Sequence, residues 1–209
     1  MKTIITVLLT ANICFAQRFF VSPDATIGVA MANKGYKGEF GISGRLGVGV
    51  NFDRYSISAT GGASNYTFSD KGFTVTDNTG VKTNQVNSSY SSTFYTVGIK
   101  ANLPLYAPNG DGIYFYVAPE YNIAASASVV QTEENKPTSS FNKDYKIPTD
   151  LIGNSLSIDF GVNYRIVGEH GEIGFGAGYK RQFSSKETFP SLGMFGLNLV
   201  YQFNFGSKE

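Results

Sequence analysis

Residues 172–205 read EIGFGAGYKRQFSSKETFPSLGMFGLNLVYQFNF. From Ile173 to Tyr179 and from Phe195 to Phe205, every second residue is apolar or aromatic, with glycines, amides and single charges between. A period of two predicts two β-strands, each with one apolar face and one small or polar face. Aromatic residues along the whole apolar face are typical of a lipid-facing surface. Small and polar residues on the other face are typical of a narrow barrel lumen.

Six upstream segments repeat this alternation, which brings the expected number of strands to eight. Most have the roughly ten residues that a tilted strand needs to cross a bilayer. Residues 55–68 change phase at Tyr66 and Phe68, which predicts a bulge near Ser64 and Asn65 or the end of the membrane zone there. No long segment has a period of 3.6, so the chain is predicted to be all-β. The six segments are 23–32, 40–52, 55–68, 95–105, 113–123 and 156–166.

The connections alternate in length, which is an independent indication of the topology. Segments 53–54, 106–112 and 167–171 are short, whereas 33–39, 69–92, 126–153 and 184–191 lie at the opposite end and two of them are long. This arrangement predicts an eight-stranded antiparallel up-and-down transmembrane β-barrel with both termini in the periplasm. Outward aromatics should form two interfacial girdles. Phe52, Tyr55, Tyr164, Phe203 and Phe205 lie at the short-turn end, and Phe40, Tyr66, Tyr95, Tyr121 and Phe183 at the other.

Residues 1–16 have the pattern of a secretory signal peptide, so the barrel domain is expected to span 17–209. Lys2 precedes a short apolar core, and the small residues Cys14 and Ala16 lie three and one positions before a cut at Gln17. A lipoprotein signal ending at Cys14 is disfavoured because Asn12 and Ile13 are not small. Cleavage would remove the only cysteine, which excludes disulfides from the mature chain.

The charge composition gives no electrostatic reason to expect a polyanionic partner. The chain has 17 Lys and Arg against 16 Asp and Glu, and residues 1–16 contain only Lys2 among these. A balanced mature chain gives no reason to expect nucleic-acid binding. The sequence also predicts no cofactor.

The terminal strand carries a resemblance to a known family. Leu197, Leu199, Tyr201, Phe203 and Phe205 alternate and end in an aromatic, and the whole chain resembles a small Gram-negative outer-membrane β-barrel of the OmpX/OmpA-transmembrane type. The resemblance implies a location in the bacterial outer membrane, contact with its lipid, and insertion by the barrel-assembly machinery. Tyr201, Phe203 and Phe205 would be the insertion signal. This chain departs from the family pattern because four residues, 206–209, follow the terminal aromatic Phe205.

Five charged residues alternate toward the predicted lumen at a similar height: Arg45, Lys100, Glu120, Asp159 and Lys180. Charges inside an eight-stranded barrel carry a penalty of several kcal/mol unless they are paired. We therefore expect one ion-pair layer, with Glu120 facing Arg45 or Lys100, that plugs the lumen. A gated proton or ion path along the same charges is the alternative, and the plug is favoured because every charge can find an opposite neighbour.

Other motifs give no case for an enzyme. Gly174, Gly176 and Gly178 precede no helix, which argues against a phosphate loop and favours a smooth inner wall facing Tyr114 and Tyr116. Residues 109–112 lack the spaced acids of a calcium loop and are predicted to be a turn. The only histidine, His170, is expected in a solvated periplasmic turn. That is the opposite end from the histidine used by barrel lipid-modifying enzymes.

The long connections are either inert polar loops or the site of any recognition. Residues 73–76 and 81–83 flank a turn signal at 77–80, and 128–132 and 141–147 flank another, so both connections are predicted to be projecting ribbons. Recognition of a surface partner there would use exposed backbone edges and Phe73, Tyr90, Phe141 and Tyr145. We therefore expect a structural and surface-interaction barrel. A narrow transport barrel and a soluble lipocalin-like ligand-binding barrel are the alternatives.

Overall fold

Long strands dominate the computed structural model, which describes residues 18–52, 55–70, 74–76, 82–108, 110–133, 143–168, 171–184, 186 and 189–205. The two shortest strands and a single helical turn lie in the connections. The elements in chain order are β1 Arg18–Ala32, β2 Lys37–Asn51, β3 Ser56–Asp70, β4 Thr74–Thr76, β5 Lys82–Tyr106, β6 Gly112–Glu133, β7 Lys143–Ile147, α1 Thr149–Ile152, β8 Ser155–Val167, β9 Gly171–Phe183 and β10 Leu192–Phe205. Among the described residues, no helix is long and apolar enough to cross a membrane.

The eight long strands pair antiparallel with their neighbours along the chain and close into a barrel. The closing pair is β1 with β10, in a register that places Ile27 opposite Leu197. The pairs β5 with β6 and β6 with β8 complete the ring. Closure pairs both edges of every barrel strand, so the wall has no free edge. The predicted eight-stranded antiparallel up-and-down β-barrel is confirmed.

Burial alternates residue by residue along the wall, with the apolar side chains outside. In β8, Leu156 is 63% exposed and Tyr164 44%, whereas Ser157, Asp159 and Asn163 between them are at most 5% exposed. Along β8 the wall is therefore apolar outside and polar inside, the reverse of a soluble sheet protein.

The bulge expected near Ser64 and Asn65 is not present. Strand β3 keeps its register with both neighbours from Ser56 to Tyr66, and the irregularity lies across the pair, in β2 between Gly38 and Gly41. Tyr66 and Phe68 are 0% and 1% exposed and face inward, so Tyr66 is not part of an outer girdle. The apolar phase changes because the inside of the barrel becomes apolar at this height, while the strand itself continues without a slip.

Much of the two long connections is strand. Strand β4 pairs with the start of β5, and β7 pairs with β6 between Ala127 and Gln131. Strands β5 and β6 also pair with one another as far as Val86 and Glu133. The described strands within segments 69–92 and 126–153 therefore extend the wall as a sheet at one end; the tips of the predicted ribbons lie outside the described residues.

Candidate functional site

A layer of six charged side chains crosses the middle of the barrel interior. The Arg45 guanidinium lies at its centre: Nε donates to Asp24 Oδ1 at 2.8 Å, and Nη1 donates to Glu120 Oε1 at 2.6 Å and Asp159 Oδ2 at 2.5 Å. Lys100 Nζ reaches Asp24 Oδ2 at 2.8 Å. On the other side, Lys180 Nζ reaches Glu120 Oε2 at 2.6 Å. Three acids thus meet three bases, and we refer to these six residues as the central layer.

The strand register explains why these residues meet. Asp24 is the Cα partner of Arg45 across β1 and β2, and Asp159 is the partner of Lys180 across β8 and β9. Each lies at an inward position of its strand, so the side chains point to a common axis. All six residues are at most 8% exposed. Removing one partner from such a network would leave a buried charge without compensation.

Tyr116 joins the central layer to the glycine-rich wall of β8 and β9. Its hydroxyl donates to Asp159 Oδ1 at 3.1 Å and accepts from Asn198 Nδ2 at 3.0 Å. Its ring lies 4.8 Å from Lys100 Nζ, within reach of a cation–π interaction. A Cβ atom added at Gly178 would overlap the Tyr116 hydroxyl. The small inner face of β9 therefore makes room for this tyrosine.

A second polar group fills the end of the lumen near the short turns. Arg165 Nη2 donates to Asn102 Oδ1 at 2.5 Å, and Arg165 Nη1 lies 3.5 Å from Glu172 Oε2. The same guanidinium lies 4.7 Å from the centre of the Tyr114 ring. Gln202 donates to Glu172 Oε1 at 3.3 Å, which links the group to β10.

The opposite end of the lumen is apolar. Tyr66, Phe68 and Phe94 point inward from β3 and β5, and the helical turn α1 inserts Ile152, which is 1% exposed. These side chains form one buried cluster with residues of β1, β6, β10 and the connection before β10. The other members are Ala30, Ala127, Phe189, Leu192 and Met194. Side chains thus occupy the interior in three layers: apolar, ionic and polar.

The structure brings together all five charged residues expected in the lumen, with one change of partner. Glu120 binds Arg45 and Lys180, whereas Lys100 binds Asp24. Of the two partners expected for Glu120, Arg45 binds it, whereas the Lys100 ammonium group binds Asp24 instead.

Sequence reasoning missed three charged residues of the interior: Asp24, Arg165 and Glu172. Arg165 stands between the outward residues Tyr164 and Ile166, Asp24 stands between Pro23 and Ala25, and Glu172 precedes the outward Ile173. The same period of two that revealed the other five would therefore have found them.

The remaining candidate residues are scattered over the molecule. Tyr90 is partly buried and stacks on Phe68 with ring centres 5.1 Å apart, whereas Tyr145 is 44% exposed on β7. Phe73 and Phe141 lie outside the described residues. The three residues of the expected insertion signal face outward from β10; they are Tyr201, Phe203 and Phe205, between 37% and 56% exposed.

His170 also lies outside the described residues. The predicted turn at 109–112 is described only in part, because Asn109 is outside the described residues as well. Within the described ranges, no group of three or more His, Cys, Asp or Glu side chains is arranged to hold a metal ion.

No family model and no curated protein matches the chain. Among solved structures it is similar to Ail, the attachment invasion locus protein of Yersinia pestis, in complex with the heparin analogue sucrose octasulfate. The identity is 8%, the match covers 88% of this chain and 99% of that one, and the TM-score is 0.48. It is also similar to the outer membrane protease OmpT from Escherichia coli, at 9% identity over 90% and 94% of the two chains and a TM-score of 0.46. For Neisserial surface protein A the identity is 13% over 90% and 97%, with a TM-score of 0.42. By its own strand pairing, this chain is a closed eight-stranded antiparallel up-and-down β-barrel, the architecture that its resemblance to small outer-membrane barrels implies.

Proposed function

We propose that the chain is an integral β-barrel of the bacterial outer membrane, with a structural and surface-interaction role rather than an enzymatic one. The observation that carries this proposal is the inverted alternation of a closed wall. Leu197, Leu105 and Tyr95 expose 68%, 63% and 60% of their surface on the outside, while ion pairs fill the inside. Water would solvate such an exterior poorly, whereas lipid tails would match it.

The same observation disfavours the soluble lipocalin-like alternative. A soluble barrel that holds a ligand needs a polar exterior and an apolar cavity, which is the reverse of this arrangement. Fractionation of cells tests the point: the protein should stay in the outer-membrane fraction after a high-salt wash and be released by detergent. Recovery in the soluble periplasmic fraction would refute the membrane assignment.

The central layer supports a plugged lumen. Arg45 contacts three carboxylates from three different strands, so opening a path past it would break several charge-assisted hydrogen bonds at once. The apolar cluster on one side and the Arg165 group on the other add two further obstacles. We expect no large steady conductance from the protein in planar bilayers. A stable large conductance would favour the narrow transport barrel instead.

The projecting sheet supports the surface-interaction part of the proposal. Among the strands that the structure describes, β4 and β7 each pair on one side only, and an unpaired strand edge can add a strand from a partner. Exposed Tyr145 on β7 offers an aromatic contact beside one edge. We place this sheet on the extracellular side, because longer connections lie outside in barrels of this kind.

Shortening the projecting sheet tests this role without touching the lumen. Asp70 pairs with Ser88, and Ala127 with Ile147, so two-residue Asn-Gly turns can join each pair directly and remove β4, Tyr145 and all of β7 except Ile147. The shortened protein should insert and resist heat like the wild type, while adhesion of producing cells to a surface coated with extracellular matrix should be lost. Unchanged adhesion would contradict the assignment of recognition to this sheet.

A further inference from the structure

A cleft of about 240 Å³ opens at the apolar end of the barrel, above the buried aromatic cluster. Five separate parts of the chain contribute to it: the β1–β2 turn, β3, β5, the β7–α1 region and the connection before β10. Its lining is Tyr36, Phe68, Tyr90, Ile147, Leu151, Phe189 and Pro190. None of these residues belongs to the central layer, and the proposed plug makes no use of the cleft.

The aromatic walls of the cleft hold each other in defined orientations. Tyr36 meets Phe68 edge-to-face, with ring centres 5.5 Å apart and planes at 90°. Phe68 stacks on Tyr90 at 5.1 Å and meets Phe189 edge-to-face at 6.0 Å. Phe68 and Phe189 are themselves buried, at 1% and 8% exposed. The cleft is therefore preformed rather than a gap between mobile side chains.

The rim of the cleft carries polar groups, among them the ammonium group of the exposed Lys34. Burial, together with the adjacent Tyr90 and the charge of Asp70, raises the pKa of Tyr36. Lys34 Nζ lies 3.5 Å from the carbonyl oxygen of Phe189, to which it donates. A ligand would thus meet apolar walls and two tyrosine hydroxyls at the rim.

We propose that this cleft binds a small neutral aromatic molecule of about two fused rings. An apolar cavity of about 150 Å³ accommodates benzene, so the larger volume here fits a bicyclic ring. Edge-to-face contact with Tyr36, Phe68 and Phe189 favours an aromatic ring over an aliphatic chain, which has no matching quadrupole. A charged ligand would lose its hydration against apolar walls without gaining a buried counter-ion.

Indole is a suitable probe because the chain contains no tryptophan. Excitation at the long-wavelength edge of the indole absorption avoids most of the emission of the 13 tyrosines. The protein is placed in lipid nanodiscs, and empty nanodiscs report partition of indole into lipid. We expect a saturable blue-shifted signal above that of empty discs. In methyl-labelled protein, ring-current shifts should appear at the methyl groups of Ile147 and Leu151 and not at the outward methyls of Leu197 and Leu199.

A matched pair of variants separates the cleft from the rest of the projecting region. Leu151 and Tyr145 are both exposed, at 52% and 44%, but only Leu151 lines the cleft. Leu151→Glu should weaken indole binding about tenfold, since it places a carboxylate against the ligand. Tyr145→Glu should leave binding unchanged. A fluorescence signal equal to that of empty discs, or equal effects of the two variants on it, would overturn the proposal. So would ring-current shifts spread over the lipid-facing methyl groups, or contacts between a lipid acyl chain and Ile147 that indole does not displace.

Discussion

At the scale of single residues, the interior depends on charge balance around Arg45. Three carboxylates surround this guanidinium within 2.8 Å, and two of them each bind a lysine as well. Such a network is not stabilising merely because it is buried, since desolvation offsets most of the Coulombic attraction. The complete set of six charges is compatible with a stable fold, whereas loss of any one of them lowers the free energy of unfolding.

Truncation of Glu120 should reveal that coupling. Glu120→Ala leaves Arg45 and Lys180 under-compensated, and we expect the free energy of unfolding in lipid to fall by about 3–5 kcal/mol. The double variant with Lys180→Met should lose less than the sum of the two single losses. Asp144→Ala, at an exposed position of β7, should change the unfolding energy by less than about 0.5 kcal/mol. Additive losses in urea titrations of Glu120→Ala and Lys180→Met would mean that the two charges do not interact.

The close approach of the Tyr116 hydroxyl to Gly178 should make the stability of the barrel sensitive to a side chain at position 178. An alanine Cβ at Gly178 would overlap the tyrosine hydroxyl, whereas a Cβ at Gly44 meets nothing within 4 Å. Gly178→Ala is expected to lower the unfolding energy by about 1–3 kcal/mol, as overpacking does, and Gly44→Ala should not. Tyr116→Phe introduced beside Gly178→Ala should recover part of the loss. An unchanged melting temperature in Gly178→Ala would contradict the close approach.

At the scale of elements, each barrel strand presents a lipid-type face and a lumen face at the same time. Strand β10 illustrates this: Leu197 and Leu199 point outward, while Asn198 and Val200, the residues that follow each of them, are buried. A one-residue slip in its pairing would exchange the two faces, so the register is strongly specified.

An arginine on the outer face of β10 tests the proposed contact with lipid. Leu197→Arg should reduce the stability of the inserted barrel by about 2–4 kcal/mol if the position lies near the bilayer centre. Tyr145→Arg, at an exposed position on β7, should have no such effect. The measurement is the urea dependence of the folded fraction in lipid vesicles. Equal stability of Leu197→Arg and the wild type would point to an exterior in contact with water.

At the scale of the whole molecule, the barrel has two different ends. Short connections close one end, beside the Arg165 group, whereas the projecting sheet, α1 and the aromatic cleft lie at the other. The described helix α1 and the connection before β10 bring Ile152 and Phe189 over the lumen. We infer that the second end faces the outside of the cell.

Cysteine labelling should establish this orientation, because the only cysteine of the chain is Cys14 in the predicted signal peptide. Asp144→Cys on β7 should react with a membrane-impermeant maleimide on intact cells. Pro108→Cys, exposed in the connection between β5 and β6, should react only after the outer membrane is opened. Labelling in the reverse order would invert the proposed topology.

The sequence by itself determined the barrel and its inverted polarity, and only the tertiary structure decided which interior residues meet. Alternation is a local property, since each side chain in a strand points away from its neighbours, so Leu197, Leu199 and Tyr201 could be assigned to the outer face directly. Contacts across the lumen depend on the stagger of strands that are distant in the chain, which no local pattern specifies. For that reason Glu120 binds Lys180 rather than Lys100, and Tyr66, apparently out of phase, is buried at the apolar end of the interior.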